Sequence, residues 1–82
     1  MFTTSRYAGK ETKELARRLA RGKKEIFLAR GKRSIEELVS LARKKGETLI
    51  SVVEEEKGRP AKVCTIKVSE TGRWNWSAEE RL

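Results

Sequence analysis

The first half of the chain alternates between strand-like and helix-like spacing of its hydrophobic positions. The opening MFTTS, residues 1–5, contains aromatic and β-branched side chains and predicts a short strand. Residues 10–22 carry apolar side chains at three- and four-residue spacing, which predicts an amphipathic helix ended by Gly22. Four consecutive apolar residues within EIFLAR, residues 25–30, favour a second strand covered on both faces. The apolar stripe of the helix comprises Thr12, Leu15, Ala16, Leu19 and Ala20.

A second helix is indicated by the local chemistry at Ser34. Glu37 follows it three residues later, which makes a capping box, and Gly46 is placed to end the helix. Three further strands are predicted: TLISVV (residues 48–53), AKVCTIKVSE (residues 61–70) and RWNWS (residues 73–77), the last followed by a polar tail. The second of these alternates, with Cys64 on the same face as Ile66 and Val68.

These elements predict one small α/β domain over residues 1–82, in the order β-α-β-α-β-β-β. Two helical crossovers make the core of the sheet parallel, and the turns that follow make the C-terminal strands antiparallel. The expected architecture is therefore a mixed sheet. Consecutive loops that follow parallel strands emerge at one edge, where ligands of such sheets gather.

Charge is distributed unevenly along the chain. Lys and Arg number 20 against 12 Asp and Glu, a net charge of +8. Residues 1–46 hold 14 basic and 5 acidic residues, whereas residues 47–82 hold 6 and 7. A basic surface attracts polyanions by releasing their counterions, so RNA or DNA is the first partner to consider. Adaptation to high temperature is an alternative source of abundant charge, but it does not explain an excess confined to one half.

Two basic loops are predicted at the ligand-binding edge of the sheet. SRYAGK, residues 5–10, follows the first strand, and RGKR, residues 30–33, follows the second. Gly31 would allow backbone amides to approach an anion, and the following helix offers its N-terminal N–H groups. The alternative is that these cations are ordinary solvated loop residues. The loop lacks the longer glycine-rich pattern of nucleotide hydrolases.

The sequence offers little for catalysis, and we predict that the protein is not an enzyme and needs no cofactor. It contains no His and a single Cys, which excludes a zinc site built from these residues and an intramolecular disulfide. Cys64 is expected to be a small buried hydrophobe, and Glu54 to Glu56 a solvated strand end. No apolar segment has the length of a signal peptide core or a membrane span, so a cytoplasmic protein is expected.

Trp74 and Trp76 are predicted to share one face of the final strand. They could simply cover the small sheet, pair with a second subunit, or form a platform for unpaired bases. We favour the subunit interface, because both tryptophans lie in the half of the chain without excess positive charge.

Four motifs together resemble the Brix-domain family of ribosome-biogenesis proteins, and most closely its short archaeal members. They are TTSR (residues 3–6), KELAR (residues 13–17), ARGKRSIEEL (residues 29–38) and GRPAKV (residues 58–63). Each motif alone is weak, but their order and spacing are fairly specific. The match covers nearly all of this chain but only about the first half of a full Brix domain.

The resemblance implies a fold whose halves are each similar to the anticodon-binding domain of class IIa aminoacyl-tRNA synthetases. It also implies binding of precursor ribosomal RNA. Carried onto this chain, the RNA-contacting candidates are Ser5, Arg6, Arg30, Gly31 and Lys32. Charge adds Lys10, Lys13, Arg17 and Arg33 as electrostatic support.

We therefore expect an RNA-binding protein of ribosomal RNA processing or subunit assembly, from a thermophilic archaeon. Contacts should be mainly to phosphates, because the candidate side chains are cations. A homodimer would replace the absent half-domain, and ribosome-assembly proteins are further candidate partners. The alternatives are a general DNA-binding protein and an adaptor whose partner is another protein.

Overall fold

The computed structural model describes residues 1–82 and contains four strands and two helices. The elements are β1 (Phe2–Thr4), α1 (Lys10–Gly22), α2 (Ile35–Lys44), β2 (Leu49–Glu56), β3 (Arg59–Val68) and β4 (Trp74–Arg81). The strands form one sheet in the order β1-β2-β3-β4, with β1 parallel to β2 and the remaining pairs antiparallel. The predicted mixed α/β sheet is thus confirmed. Neither helix has the length and apolar character needed to cross a membrane.

The predicted second strand is reduced to a single parallel bridge between Phe27 and Phe2. The amide of Leu28 donates to the Phe2 carbonyl at 2.8 Å, and no strand continues beyond this point. Side chains make the next connections instead. The Thr3 hydroxyl donates to the Leu28 carbonyl at 2.7 Å, and Arg30 donates to the Thr4 carbonyl at 3.0 Å. The segment therefore lies beside β1, as a parallel strand would, without extending the ladder.

The two helices cover opposite faces of the sheet. Buried residues of α1 pack with Phe2 and Val53 on one face, while buried residues of α2 pack with Ile50 and Ile66 on the other. Because both faces are covered, β2 needs apolar residues on both sides, which explains its nearly continuous hydrophobic run. The buried helical residues are Thr12, Ala16 and Ala20 of α1 and Leu38, Val39 and Ala42 of α2.

The helix ends follow the sequence signals only in part. The capping box of Ser34 and Glu37 is present in full, and Gly46 adopts a left-handed φ of 73° just after α2. α1 ends at Gly22, as predicted, but Gly22 does not adopt the left-handed conformation expected of a glycine that ends a helix. The left-handed conformation falls instead on Lys24, with a φ of 56°.

In the C-terminal half, β2, β3 and β4 form a three-stranded antiparallel meander. Lys57 and Gly58 both have positive φ between β2 and β3, a pattern typical of tight hairpin turns. The predicted alternation of β3 is confirmed, since Cys64, Ile66 and Val68 are all buried. β4 is longer than predicted and continues to Arg81, because the polar tail after Ser77 also pairs with β3.

Candidate nucleic-acid interface

The structure brings together the two basic loops that follow β1 and the Phe27 bridge. A guanidinium nitrogen of Arg6 donates to the carbonyl oxygen of Lys32 at 3.2 Å. A second connection runs the other way, from Arg30 Nη1 to the carbonyl oxygen of Thr4 at 3.0 Å. The juxtaposition predicted from the topology is therefore present, although the second strand is only a bridge. We call residues 5–10 and 30–33 the paired loops.

Arg30 has a different role from its basic neighbours because its side chain is buried, with 6% of the residue exposed. Its Nε atom donates to the Arg33 carbonyl at 2.7 Å, in addition to the bond to Thr4. Burial, and then the nearby charge of Arg6, lower the pKa of Arg30, while Glu54 acts in the opposite direction. An arginine remains protonated in proteins, so the buried charge is held by backbone carbonyls. Arg30 thus shapes the paired loops from within.

The remaining residues of the second loop divide between shaping and exposure. Gly31 has a φ of 56° and open space around its α-carbon, so its conformation favours glycine and leaves the backbone accessible. Arg33 Nη1 donates to the Ala29 carbonyl at 2.7 Å and is partly committed to the loop. Lys32 is exposed, and its ammonium group forms neither an ion pair nor a hydrogen bond. It is the free cation of this loop.

The N-terminus of α1 is already occupied by a carboxylate of the chain itself. Glu55 Oε2 accepts from the Thr12 hydroxyl at 2.6 Å and from the Gly9 amide at 2.9 Å. The bond from Thr12, followed by the bond from Gly9, lowers the pKa of Glu55. Gly9 is the cap residue and has no side chain, so the carboxylate at this helix start comes from Glu55 of β2, although it binds the Gly9 amide and the Thr12 hydroxyl rather than the amides of the first turn.

The start of α2 is also filled from within. The Glu37 amide donates to the Ser34 hydroxyl at 3.2 Å, and the Ser34 amide donates to the Glu37 carboxylate at 3.2 Å. A phosphate at either helix start would meet a carboxylate before it met the helix dipole. Both helix N-termini therefore have a carboxylate of the chain beside them, which leaves the exposed cations as the groups able to bind an anion.

The acidic run Glu54 to Glu56 lies close to the paired loops, because β2 is parallel to β1 and runs beyond it. Glu55 and Glu56 each accept hydrogen bonds from side chains of the protein, whereas Glu54 forms no ion pair. Glu56 accepts two hydrogen bonds from Arg81 at 3.0 and 3.1 Å, and Glu54 faces Lys62 across the ladder. These glutamates stabilise the end of the sheet, and they do not converge as a metal site.

The basic side of α1 extends the positive surface away from the paired loops. Lys10 begins the helix with 89% of its side chain exposed, and its contact with Glu14 is long at 4.0 Å. Lys13 and Arg17 follow one turn apart and are also exposed. The Arg17 guanidinium lies 5.1 Å from the centre of the Phe27 ring, a cation–π contact that orients it beside the bridge segment.

Comparison with known proteins finds solved structures of similar fold. No protein-family model matches the sequence, and no curated protein matches it either. Among solved structures, a probable ribosomal biogenesis protein from Aeropyrum pernix K1 superposes with a TM-score of 0.85 and 27% identity over 95% of this chain. The chain resembles one half of a Brix-domain protein. The resemblance predicted from the four motifs is thus confirmed.

A second solved structure supports the same relationship. Mil, an archaeal Imp4-like protein, is 30% identical over 89% of this chain, with a TM-score of 0.73. The Brix-like half-domain spans 44% of the first of these proteins and 45% of the second.

One residue of the paired loops was not recognised from the sequence of the Brix-like half-domain. Tyr7 is 71% exposed and has a φ of 57°, a left-handed conformation that is uncommon outside glycine, asparagine and aspartate. Its sequence signal was an aromatic residue between Arg6 and Gly9 in a basic turn. Ser5 lies beside it, partly buried, with its amide bound to the Val53 carbonyl at 3.0 Å.

The two tryptophans of the Brix-like half-domain share a face of β4, as predicted, but differ in burial. Their rings are 6.1 Å apart and nearly perpendicular. Trp74 packs against the core beside α2, whereas Trp76 is 47% exposed. Trp74 therefore covers the sheet, whereas the exposed Trp76 is free to contact another molecule.

Proposed function

We propose that this Brix-like half-domain acts in ribosome biogenesis by binding precursor ribosomal RNA through the paired loops and the basic side of α1. The observation that carries the proposal is the contact between Arg6 and the Lys32 carbonyl, which fixes the two loops at one edge. The names of the two solved proteins, a probable ribosomal biogenesis protein and an Imp4-like protein, support the biological setting. The proposed role is binding and requires no catalytic step.

The exposed cations would contact phosphates, and the buried ones would position them. Arg6, Lys10 and Lys32 form the first group at the paired loops, with Lys13 and Arg17 continuing along α1. Arg30 and Arg33 belong to the second group, because Arg30 is buried, Arg33 is half-buried, and each donates to carbonyls within its own segment; Arg6 is exposed and makes one hydrogen bond to the other loop. Neutralising phosphates releases counterions, which makes affinity steeply dependent on salt.

The test compares two double variants that remove the same charges from different places. Arg6→Ala with Lys32→Ala removes one arginine and one lysine from the paired loops. Lys67→Ala with Arg73→Ala removes one of each from exposed positions in the C-terminal half. If each lost cation contacts a phosphate, the salt slope of RNA binding falls by about 1.4–1.8 in the first variant and stays constant in the second.

Three results would contradict the proposal or redirect it. Equal slopes in the two variants would place the binding surface elsewhere. Preference for duplex DNA over structured RNA at fixed salt would favour a general nucleic-acid protein. A partner retained at high salt after ribonuclease treatment would favour a protein adaptor.

We also infer a homodimer that uses the free edge of β4. β4 is the last strand of the sheet, and seven of its eight residues are exposed. An unpaired edge offers a row of free backbone groups to another strand. Trp76, which is 47% exposed, would add apolar contact beside it.

A further inference from the structure

We propose that Tyr7 stacks on an unpaired base of the bound RNA, so that the paired loops select single-stranded segments over uninterrupted duplex. The inference rests on the proposed RNA binding and names the class of RNA. It starts from an exposed aromatic ring at the centre of a basic loop. Successive bases stack readily on aromatic side chains, because every base has a π-face.

The backbone presents the Tyr7 ring outward. With a φ of 57°, Tyr7 occupies a conformation that glycine or asparagine adopts more easily. The turn alone therefore does not call for a large aromatic side chain. No ring of the protein stacks on Tyr7, and 71% of the residue remains exposed. An apolar ring with no protein partner is suited to contact a ligand.

The loop is anchored on both sides of Tyr7, which holds the ring in place before RNA arrives. On one side, the Ser5 amide is bound to Val53, and Arg6 is bound to the other loop through Lys32. On the other side, Ala8 is buried and the Gly9 amide is bound to Glu55. Preorganisation of this kind reduces the conformational entropy lost on binding.

The charges around the ring indicate how RNA would lie. Arg6 directly precedes Tyr7, and Lys10 follows it three residues later at the start of α1. Lys32 lies in the other loop, where its carbonyl accepts the hydrogen bond from Arg6. Phosphates on either side of a splayed base could meet these cations while the base meets the ring. In an A-form duplex the bases are already stacked within the helix, so only loops, bulges or ends can present one.

The experiment measures binding of Tyr7 variants to two RNAs of equal length at fixed salt. One RNA is a hairpin with an unpaired loop, and the other is fully paired. Tyr7→Ala and Tyr7→Leu should weaken hairpin binding roughly five- to a hundredfold, whereas Tyr7→Phe should stay within about twofold of the parent. Binding to the paired RNA should be the same for all four proteins. Thermal melting of each variant checks that the fold is retained.

A fluorescent base analogue in the hairpin loop provides a second measurement. Its emission should change on binding the parent protein or Tyr7→Phe, and should remain as in free RNA with Tyr7→Ala. Hairpin affinity that is unchanged in Tyr7→Ala, or equal for Tyr7→Leu and Tyr7→Phe, would overturn stacking while leaving RNA binding intact. Equal losses on both RNAs would overturn it too. Failure of the parent protein to bind either RNA would instead remove the proposed function itself.

Discussion

The guanidinium of Arg30 donates to the carbonyl oxygen of Thr4 at 3.0 Å and joins the end of β1 to the loop of residues 30–33, across 26 residues of chain. The same side chain donates to Arg33 within its own loop. One buried side chain therefore determines both the position of the loop and its internal shape. Removal of the Arg30 side chain should therefore disturb the fold, whereas removal of an exposed cation should affect binding alone.

Substitution of Arg30 should lower stability, whereas substitution of Lys32 should not. Arg30→Ala leaves the carbonyls of Thr4 and Arg33 without these donors, at a cost of about 2 kcal/mol. For a domain of this size the midpoint of thermal unfolding should fall by about 10 °C. Lys32→Ala is the matched control, and its midpoint should stay within a degree or two of the parent. Equal midpoints for both variants would show that the Arg30 contacts are not stabilising.

Arg30→Lys should behave more like the alanine variant than like the parent. A lysine carries the same charge but lacks the planar fork that reaches two carbonyls at once. If the paired loops bind RNA as proposed, the affinity of Arg30→Lys for RNA should also fall, because residues 30–33 lose the contacts that position them. A lysine variant with the parent's melting temperature would contradict this account.

The stability contributed by Glu55 should depend on pH. Its pKa in the folded protein lies below the ordinary value of 4.5, so the contribution is fully present above that value. It is lost as the pH falls through the lower, folded pKa. Glu55→Gln should therefore be less stable than the parent at neutral pH, and the difference should shrink on acidification below about pH 4. Glu80→Gln, at an exposed position of β4, is the control. A difference that stays constant with pH would show that the charge of Glu55 does not contribute.

The thiol of Cys64 should be almost inert in the folded protein. Burial, reinforced by Glu54, raises the pKa of Cys64 to about 11, and its sulfur lies 3.7 Å from a Glu79 carboxylate oxygen. The thiolate is the reactive form, so alkylation near pH 8 should be slower than for a free thiol by about a hundredfold or more. Denaturant should restore the ordinary rate. Rapid labelling of the native protein would show that β4 detaches readily from β3.

Dimerisation through β4 should depend on Trp76. Sedimentation equilibrium at micromolar concentration should show a species of twice 9.4 kDa, and Trp76→Lys should return it to the monomer. Ile26→Lys is the matched control, since Ile26 is a comparably exposed apolar residue outside β4. A single 9.4 kDa species for the parent would exclude the homodimer at this concentration.

Local chemistry was the part of this structure most accessible from sequence. The box of Ser34 and Glu37 involves residues three apart, and the hairpin turn at Gly58 depends on its own backbone. The conformation of residues 25–30 was harder to predict. Their apolar run predicts a strand, but the length of that strand depends on how far β1 pairs with it. Only one bridge to β1 forms, and Ile26 is 43% exposed.

The site was less predictable than the fold because its key contacts are distant in sequence. Charge identified Arg30 and Lys32 equally, yet one is buried and the other exposed. Nothing local distinguishes them. The carboxylate at the start of α1 comes from Glu55, which is 43 residues from Thr12 and appeared in the sequence only as part of an acidic run. Recognition of Tyr7 as a candidate depended on its positive φ, which a sequence does not reveal.

The single bridge between Phe2 and Phe27 has a consequence for how the domain opens. A segment held to its neighbour by few backbone hydrogen bonds separates from the fold more easily than the long ladder of β2 and β3. Amide hydrogens near Leu28 should therefore exchange through a partial opening that leaves most of the sheet intact. An RNA strand that bridges the paired loops would suppress this partial opening. RNA binding would then slow the exchange of amide hydrogens that the RNA does not contact.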